Sequence, residues 1–286
     1  MIDSHSLNIS STPTHRMNKR LMAGVLAMVC GAAWGVPLDV PAGTSVDATS
    51  NSYEGGTVAG TYNIGGAGGS ASVSFDSRVA VNTPFTLTID NGGTMVINTN
   101  GDLGTYDLFV NNGTLTNSGP VGFFDYGPTN TSATPPKAIF TNNGTLTNHS
   151  TGSIVATLDG SNAVEIINTS KIINAGVFVM RNRIERGPWA PITNSGTFTL
   201  QKGGVLEMDK SGTDPAVTKG FTNLAPGLLV IQTNDGGAGF IQGLVDNQSG
   251  GIVQLDPDGT DVQTISAINS TTAAGRILNI VGDGTV

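Results

Sequence analysis

The heptapeptide NNGTLTN occupies Asn111 to Asn117 and recurs, letter for letter, at Asn142 to Asn148. A chain that spells one unit twice is building the same local structure twice. Asn-Asn-Gly reads as a corner, because Asn tolerates the left-handed backbone region and Gly adopts it freely. Thr-Leu-Thr reads as a short strand, with leucine on one face and the threonines on the other. Looser copies share a glycine followed, after one intervening residue, by an apolar side chain. Aligned on Gly93, Gly113, Gly144, Gly176, Gly196, Gly227 and Gly251, the steps are 20, 31, 32, 20, 31 and 24 residues. Gly152 begins a half-copy inside a longer gap. Units of about 20 to 30 residues with inserted loops mark a solenoid.

Several solenoids are excluded. Leucine-rich repeats need several leucines per unit at fixed spacing, and helical repeats need a 3.6-residue apolar period. Neither pattern occurs after residue 36. The remaining fit is an all-β, right-handed parallel β-helix over residues 82–286, with roughly nine coils stacked about 4.8 Å apart. One face of each strand fills a narrow interior with aliphatic side chains. Asparagines in equivalent corners stack, so their amides form a ladder. Residues 36–81, less regular but with two strands about a Gly-rich turn, are read as an N-terminal cap, which a solenoid end needs. The stretches 127–137 and 181–191 are read as loop excursions.

Composition agrees with short strands and tight turns. Charged residues make up 12% of the chain, against roughly 25% in an ordinary domain, and 40 of 286 residues are glycine. Residues 1–35 stand apart. A basic segment, His15 to Arg20, precedes the apolar LMAGVLAMV and the small-residue region ending Ala33-Trp34-Gly35. That order predicts a secretory signal peptide, with Met17 able to serve as its start; the apolar run is too short to span a bilayer. Cys30, the sole cysteine, would leave with it. Removing residues 1–35 takes away three basic residues and one acid, leaving 10 Lys+Arg against 20 Asp+Glu. An acidic rod is a poor partner for nucleic acid or anionic membrane.

With these features the chain resembles the β-helical passengers of bacterial autotransporters and filamentous-haemagglutinin-like surface proteins. The resemblance rests on the signal peptide, the cysteine-free remainder and the NNGTLTN, INAGVF and TNSGTF units, over most of residues 82–286. It implies an exported, adhesin-like or structural protein at the surface of a Gram-negative-type bacterium, delivered by an outer-membrane translocator of a type V-like system. Its partners would be host or matrix glycans or proteins. The sequence stops at Gly284-Thr285-Val286 in mid-coil, with no terminal amphipathic barrel and no Asn-Pro motif. The expectation is an incomplete C-terminus. Parallel β-helices also include polysaccharide lyases and hydrolases, the alternative reading.

That alternative needs carboxylates grouped on one face. The acids Asp90, Asp107, Asp125, Asp159, Glu165, Glu207 and Asp209 are scattered; Glu207 and Asp209 share a strand face but sit among Lys202 and Lys210. His149, the only histidine after the signal, stands where the first heptad has Ser118, so it reads as an exposed turn. DPDGTD places Asp256, Asp258 and Asp261 around Gly259 like the front of a calcium loop, yet Ala267 stands where the bidentate glutamate belongs. It reads as a polar turn. Arg181, Arg183, Arg186 and Trp189 form the most distinctive surface feature, either a glycan- or protein-binding loop or ion pairs with Glu185 and nearby acids. The pairs Thr86/Thr88, Thr114/Thr116, Thr145/Thr147 and Thr197/Thr199 would point outward, as on some ice-binding solenoids, but weaker coils break the array. No residue is assigned a catalytic, cofactor-binding or metal-binding role.

Overall fold

A computed structural model describes residues 36–66, 69–75, 86–105, 108–125, 138–158, 164–182, 192–208, 220–232, 240–242, 245–256, 268–269 and 277–280. All of them lie in one compact unit, Trp34–Val286. The predicted signal peptide lies outside the described residues.

As far as Ile252–Asp256, each strand pairs in parallel with the third strand after it, and two further strands, Ile268–Asn269 and Ile277–Ile280, extend the first two sheets, giving sheets of ten, ten and eight strands. The first sheet runs from Leu38–Val40, the second from Ser45–Asp47 and the third from Asn51–Tyr53. This is a parallel β-helix. Most strands alternate buried and half-buried residues, because successive side chains point to opposite faces. The two heptads superpose coil on coil, with Leu115 opposite Leu146 and Asn117 opposite Asn148. Both leucines are buried, and the four threonines face outward.

The interior is organised in columns. One column of the second sheet runs Tyr62, Met95, Leu115, Leu146, Ile172, Phe198 and Leu229. Aromatic rings pack within and across sheets: Phe140 lies 5.1 Å from Phe109 of its own sheet and stacks 4.9 Å from Phe123 of the third. A column in the first sheet begins with Val40, Val58 and Ile89, then changes to asparagine. Asn111, Asn142, Asn168, Asn194, Asn223 and Asn247 follow, all buried. Each donates its side-chain N–H to the Oδ1 of the next, at 2.7 to 2.9 Å. A shorter ladder, Asn117, Asn148 and Asn174, occupies the second sheet between Ile97 and Leu200. Remaining amide hydrogens reach backbone carbonyls, as Asn168 does with Thr197 O at 3.1 Å. Buried side-chain amides are tolerable because they are satisfied in this way.

Three features extend or correct the sequence reading. First, the strands at 38–75 pair in the same three sheets as those that follow. Second, the corners of the two identical heptads are not left-handed, although Gly92, Gly203 and Gly250 are so in four-residue corners. Neither Gly113 nor Gly144 has a positive φ, and among the described residues no non-glycine residue does. At these two positions the coils approach closely: a Cβ on Gly144 would sit 2.1 Å from Gly113 O, and one on Gly113 2.3 Å from Gly93 O. Third, Gly176 belongs to a different corner. Val177 bonds back to Gly152 O, whereas Thr145 and Lys171 bond back to Gly113 O and Gly144 O. The true counterpart of Gly144 on the next coil is Ser170, which turns steps of 32 and 20 into two of 26, the spacing of the ladder asparagines there.

In the N-terminal coils the interior carries a phenol. Tyr62 is fully buried, and its OH donates to Tyr53 OH at 3.4 Å. Burial, and then the hydrogen bond and charge of Tyr53, hold its pKa far above the ordinary value. The folded chain therefore keeps this proton when the unfolded chain releases it, near pH 10. The contribution is whole below that pH and falls as pH rises above it. The urea midpoint is expected to drop between about pH 9.5 and 11, and to drop less in Tyr62→Phe. Equal slopes in the two proteins would refute the assignment.

Candidate functional site

The three corners of the coil differ. Between the first and second sheets, from the Asn111 coil to the Asn247 coil, the chain turns in two or four residues, with a long-ladder asparagine at each entry; the last connection, between Asn269 and Ile277, is seven. Between the second and third sheets it turns in two to four residues from Ile97 to Val205, then in seven between Gln232 and Phe240. Between the third sheet and the first the connection ranges from two residues, as after Thr105, to twelve, as between Asp125 and Ala138. The two tight corners are constrained by their stacking. A two-residue corner has its glycine N–H bound to the entering asparagine, 3.2 Å at both Gly113 and Gly119. The third corner has no such ladder among the described residues, so its length is free to vary.

Both stretches read as excursions leave from this third corner. The Pro-rich one spans the gap between the strands Pro120–Asp125 and Ala138–Asn142, and the Arg/Trp one the gap between Val177–Asn182 and Ile192–Asn194. Arg181 sits near the end of its strand, paired with Thr157 of the coil before. Arg183, Arg186 and Trp189 lie outside the described residues. Registered neighbours put the connections after Leu158, Asn182 and Met208 on three successive coils. The feature that sequence reasoning missed is this alignment along one edge. A three-sheet assignment of the strands would have revealed it, but the glycine alignment mixed two corners.

The remaining candidates are dispersed. Glu207 is half-buried on the outer face of the third sheet; Asp209 lies outside the described residues. Asp102 is on the same face but four coils away. Glu165 is on the first sheet. Among acids on strands with described side chains, no two occupy one outer face on adjacent coils. No group of three His, Cys, Asp or Glu among the described residues could hold a metal ion. Asp256 ends the strand Ile252–Asp256, while Asp258 and Asp261 lie outside the described residues. His149 is exposed in a corner, as its alternation with Ser118 suggests. Thr86 and Thr88 are on the first sheet, not with the other threonine pairs on the second. There Lys171 and Ile173 interrupt the rows between Thr145/Thr147 and Thr197/Thr199. No described helix is long and apolar enough to cross a membrane.

No protein-family model matches the sequence. No curated protein matches it either. Among solved structures, a TibC-catalysed, hyper-glycosylated fragment of TibA is similar over 88% of this chain and 94% of that fragment, at 17% identity and a TM-score of 0.18. At so low a score the β-helix assignment rests on the strand pairing itself.

Proposed function

We propose that this chain is an exported, surface-displayed bacterial rod that binds through loops along one edge, and that it is adhesin-like rather than catalytic. A right-handed coil is the sense expected of parallel crossover connections. The observation that carries the reading is the concentration of the longest connections, nine to twelve residues, at a single corner of a laddered helix. Loops positioned by a rigid scaffold are where binding residues concentrate. Stacked on successive coils, several weak contacts act together, and their combined affinity exceeds that of any one. The dispersed acids favour binding over turnover, because general acid–base cleavage of a glycan needs two convergent carboxyls. Export through a signal peptide in residues 1–35 and delivery by an outer-membrane translocator complete the proposal.

The connection at 183–191 carries Arg183, Arg186 and Trp189, which suit an acidic glycan: guanidinium for carboxylate or sulfate, indole for a sugar face. The full chain is expected to bind immobilised acidic polysaccharides. A variant with 183–191 replaced by a short Gly-Ser link should lose most of that binding while keeping its β-type circular dichroism. Release of reducing ends or unsaturated products from acidic or neutral polysaccharides would overturn the adhesive reading.

A further inference from the structure

Four Asn-Gly dipeptides fall within the described residues: Asn91-Gly92, Asn100-Gly101, Asn112-Gly113 and Asn143-Gly144. Such pairs share an intrinsic liability. The glycine backbone nitrogen, once deprotonated, attacks the asparagine Cγ. A C–N bond closes a five-membered succinimide and ammonia leaves. Water then opens either carbonyl, giving aspartate or isoaspartate. The reaction needs a glycine nitrogen free to approach and an asparagine side chain free to turn toward it.

The fold withholds one or both freedoms at three of the four. The Asn143 amide donates to Asn112 Oδ1 at 3.0 Å, and its Oδ1 accepts from Thr169 Oγ1 at 2.7 Å. Asn112 Oδ1 is thereby engaged, and the Gly113 N–H is bound to Asn111 Oδ1. The Gly101 N–H donates to Asn98 O at 2.8 Å, and Asn100 O accepts from Ala71 N. The peptide between Asn100 and Gly101 is also covered, for a Cβ on Gly65 would lie 2.2 Å from Gly101 N.

Asn91-Gly92 differs on each count. Both residues are exposed at the tip of a turn closed by Gly93 N–H to Asp90 O at 2.8 Å. Gly92 has φ +86 and nothing within 4 Å of its Cβ position. Among the described residues, neither the Asn91 side chain nor the Gly92 N–H has a hydrogen-bond partner. We propose that Asn91 is the spontaneous deamidation site of this chain, and that coil stacking protects the asparagines of the two identical heptads. The product adds a carboxylate next to Asp90, at a corner between the first and second sheets.

The test is peptide mapping by mass spectrometry of the full chain, incubated folded at mildly alkaline pH and, in parallel, unfolded in urea. In the folded protein Asn91 should convert at least about tenfold faster than Asn112, Asn143 or Asn100, since breaking one or two hydrogen bonds slows a step by roughly that factor. In urea the four rates should draw together, because all four are followed by glycine. Conversion of Asn112, Asn143 or Asn100 in the folded chain at or above the Asn91 rate would overturn the proposal. So would a preference for Asn91 that persists unchanged in urea, which would place its cause in local sequence and not in the fold.

Discussion

Asn168→Ala is expected to destabilise the protein by about 2–4 kcal/mol, although it removes only a small polar side chain. Asn168 is an inner rung of the six-residue ladder. Its Oδ1 accepts from Asn142 at 2.7 Å, and its amide donates to Asn194 Oδ1 at 2.7 Å and to Thr197 O at 3.1 Å. Alanine leaves Asn194 Oδ1 and Thr197 O without these donors in a site closed to water, and buried groups left unpaired cost more than a paired hydrogen bond contributes. Asn168→Asp is the sharper variant. The shape is nearly kept, but the donor to Asn194 becomes an acceptor facing an acceptor, and a charge is buried. It should be at least as destabilising as alanine. Thr169→Ala, on the outer surface, is the control and should change stability by less than about 0.5 kcal/mol. Each coil touches only its neighbours, so the loss should also be local. Amide exchange of Lys171 and Thr197 should speed up more than that of Val58. A urea midpoint for Asn168→Asp equal to wild type would refute the ladder's role.

The second large effect is at Gly144. Substitution by alanine is expected to cost about 2–4 kcal/mol, from overpacking between coils. The new Cβ would meet Gly113 O at 2.1 Å, with Asn112 C and Gly113 N at 2.9 Å. All three are backbone atoms, so no flexible side chain can yield. Gly92→Ala is the informative comparison. Its positive φ costs roughly 1 kcal/mol in strain, but its surroundings are open. If the corners needed glycine for a left-handed backbone, Gly92→Ala would be the worse substitution. The reverse order, measured by urea denaturation, is the outcome that follows from stacking.

Much of the architecture was legible before any coordinates. NNGTLTN announced a corner and a strand, and its repetition announced coils, because stacking forces equivalent residues into equivalent places. The column positions were not legible. Asn111 and Asn142 look like any turn asparagine in sequence; their burial is visible only once Ile89 is seen beneath them in the same column. Gly176 was misplaced because both tight corners use glycine in the same way, for close approach. The first coils were hidden because Val58-Ala59-Gly60-Thr61-Tyr62 keeps the corner glycine but puts valine and tyrosine where the heptad has asparagine and leucine. The loop-bearing edge was the hardest to foresee. Its residues obey no repeat, and nothing in Arg181 or Asp125 says that their connections leave from one side.

The unequal corners also bear on how such a chain can change over generations. Ladder steps of 31, 26, 26, 29 and 24 residues coexist with unbroken pairing. Most of that length variation arises at the third corner. An insertion or deletion there alters what the rod presents and leaves every strand register as it was. At the ladder corners a change must keep the next asparagine in its column and the next strand's buried face inward, as the two- and four-residue turns do. Selection can therefore rewrite one edge more freely than the other two.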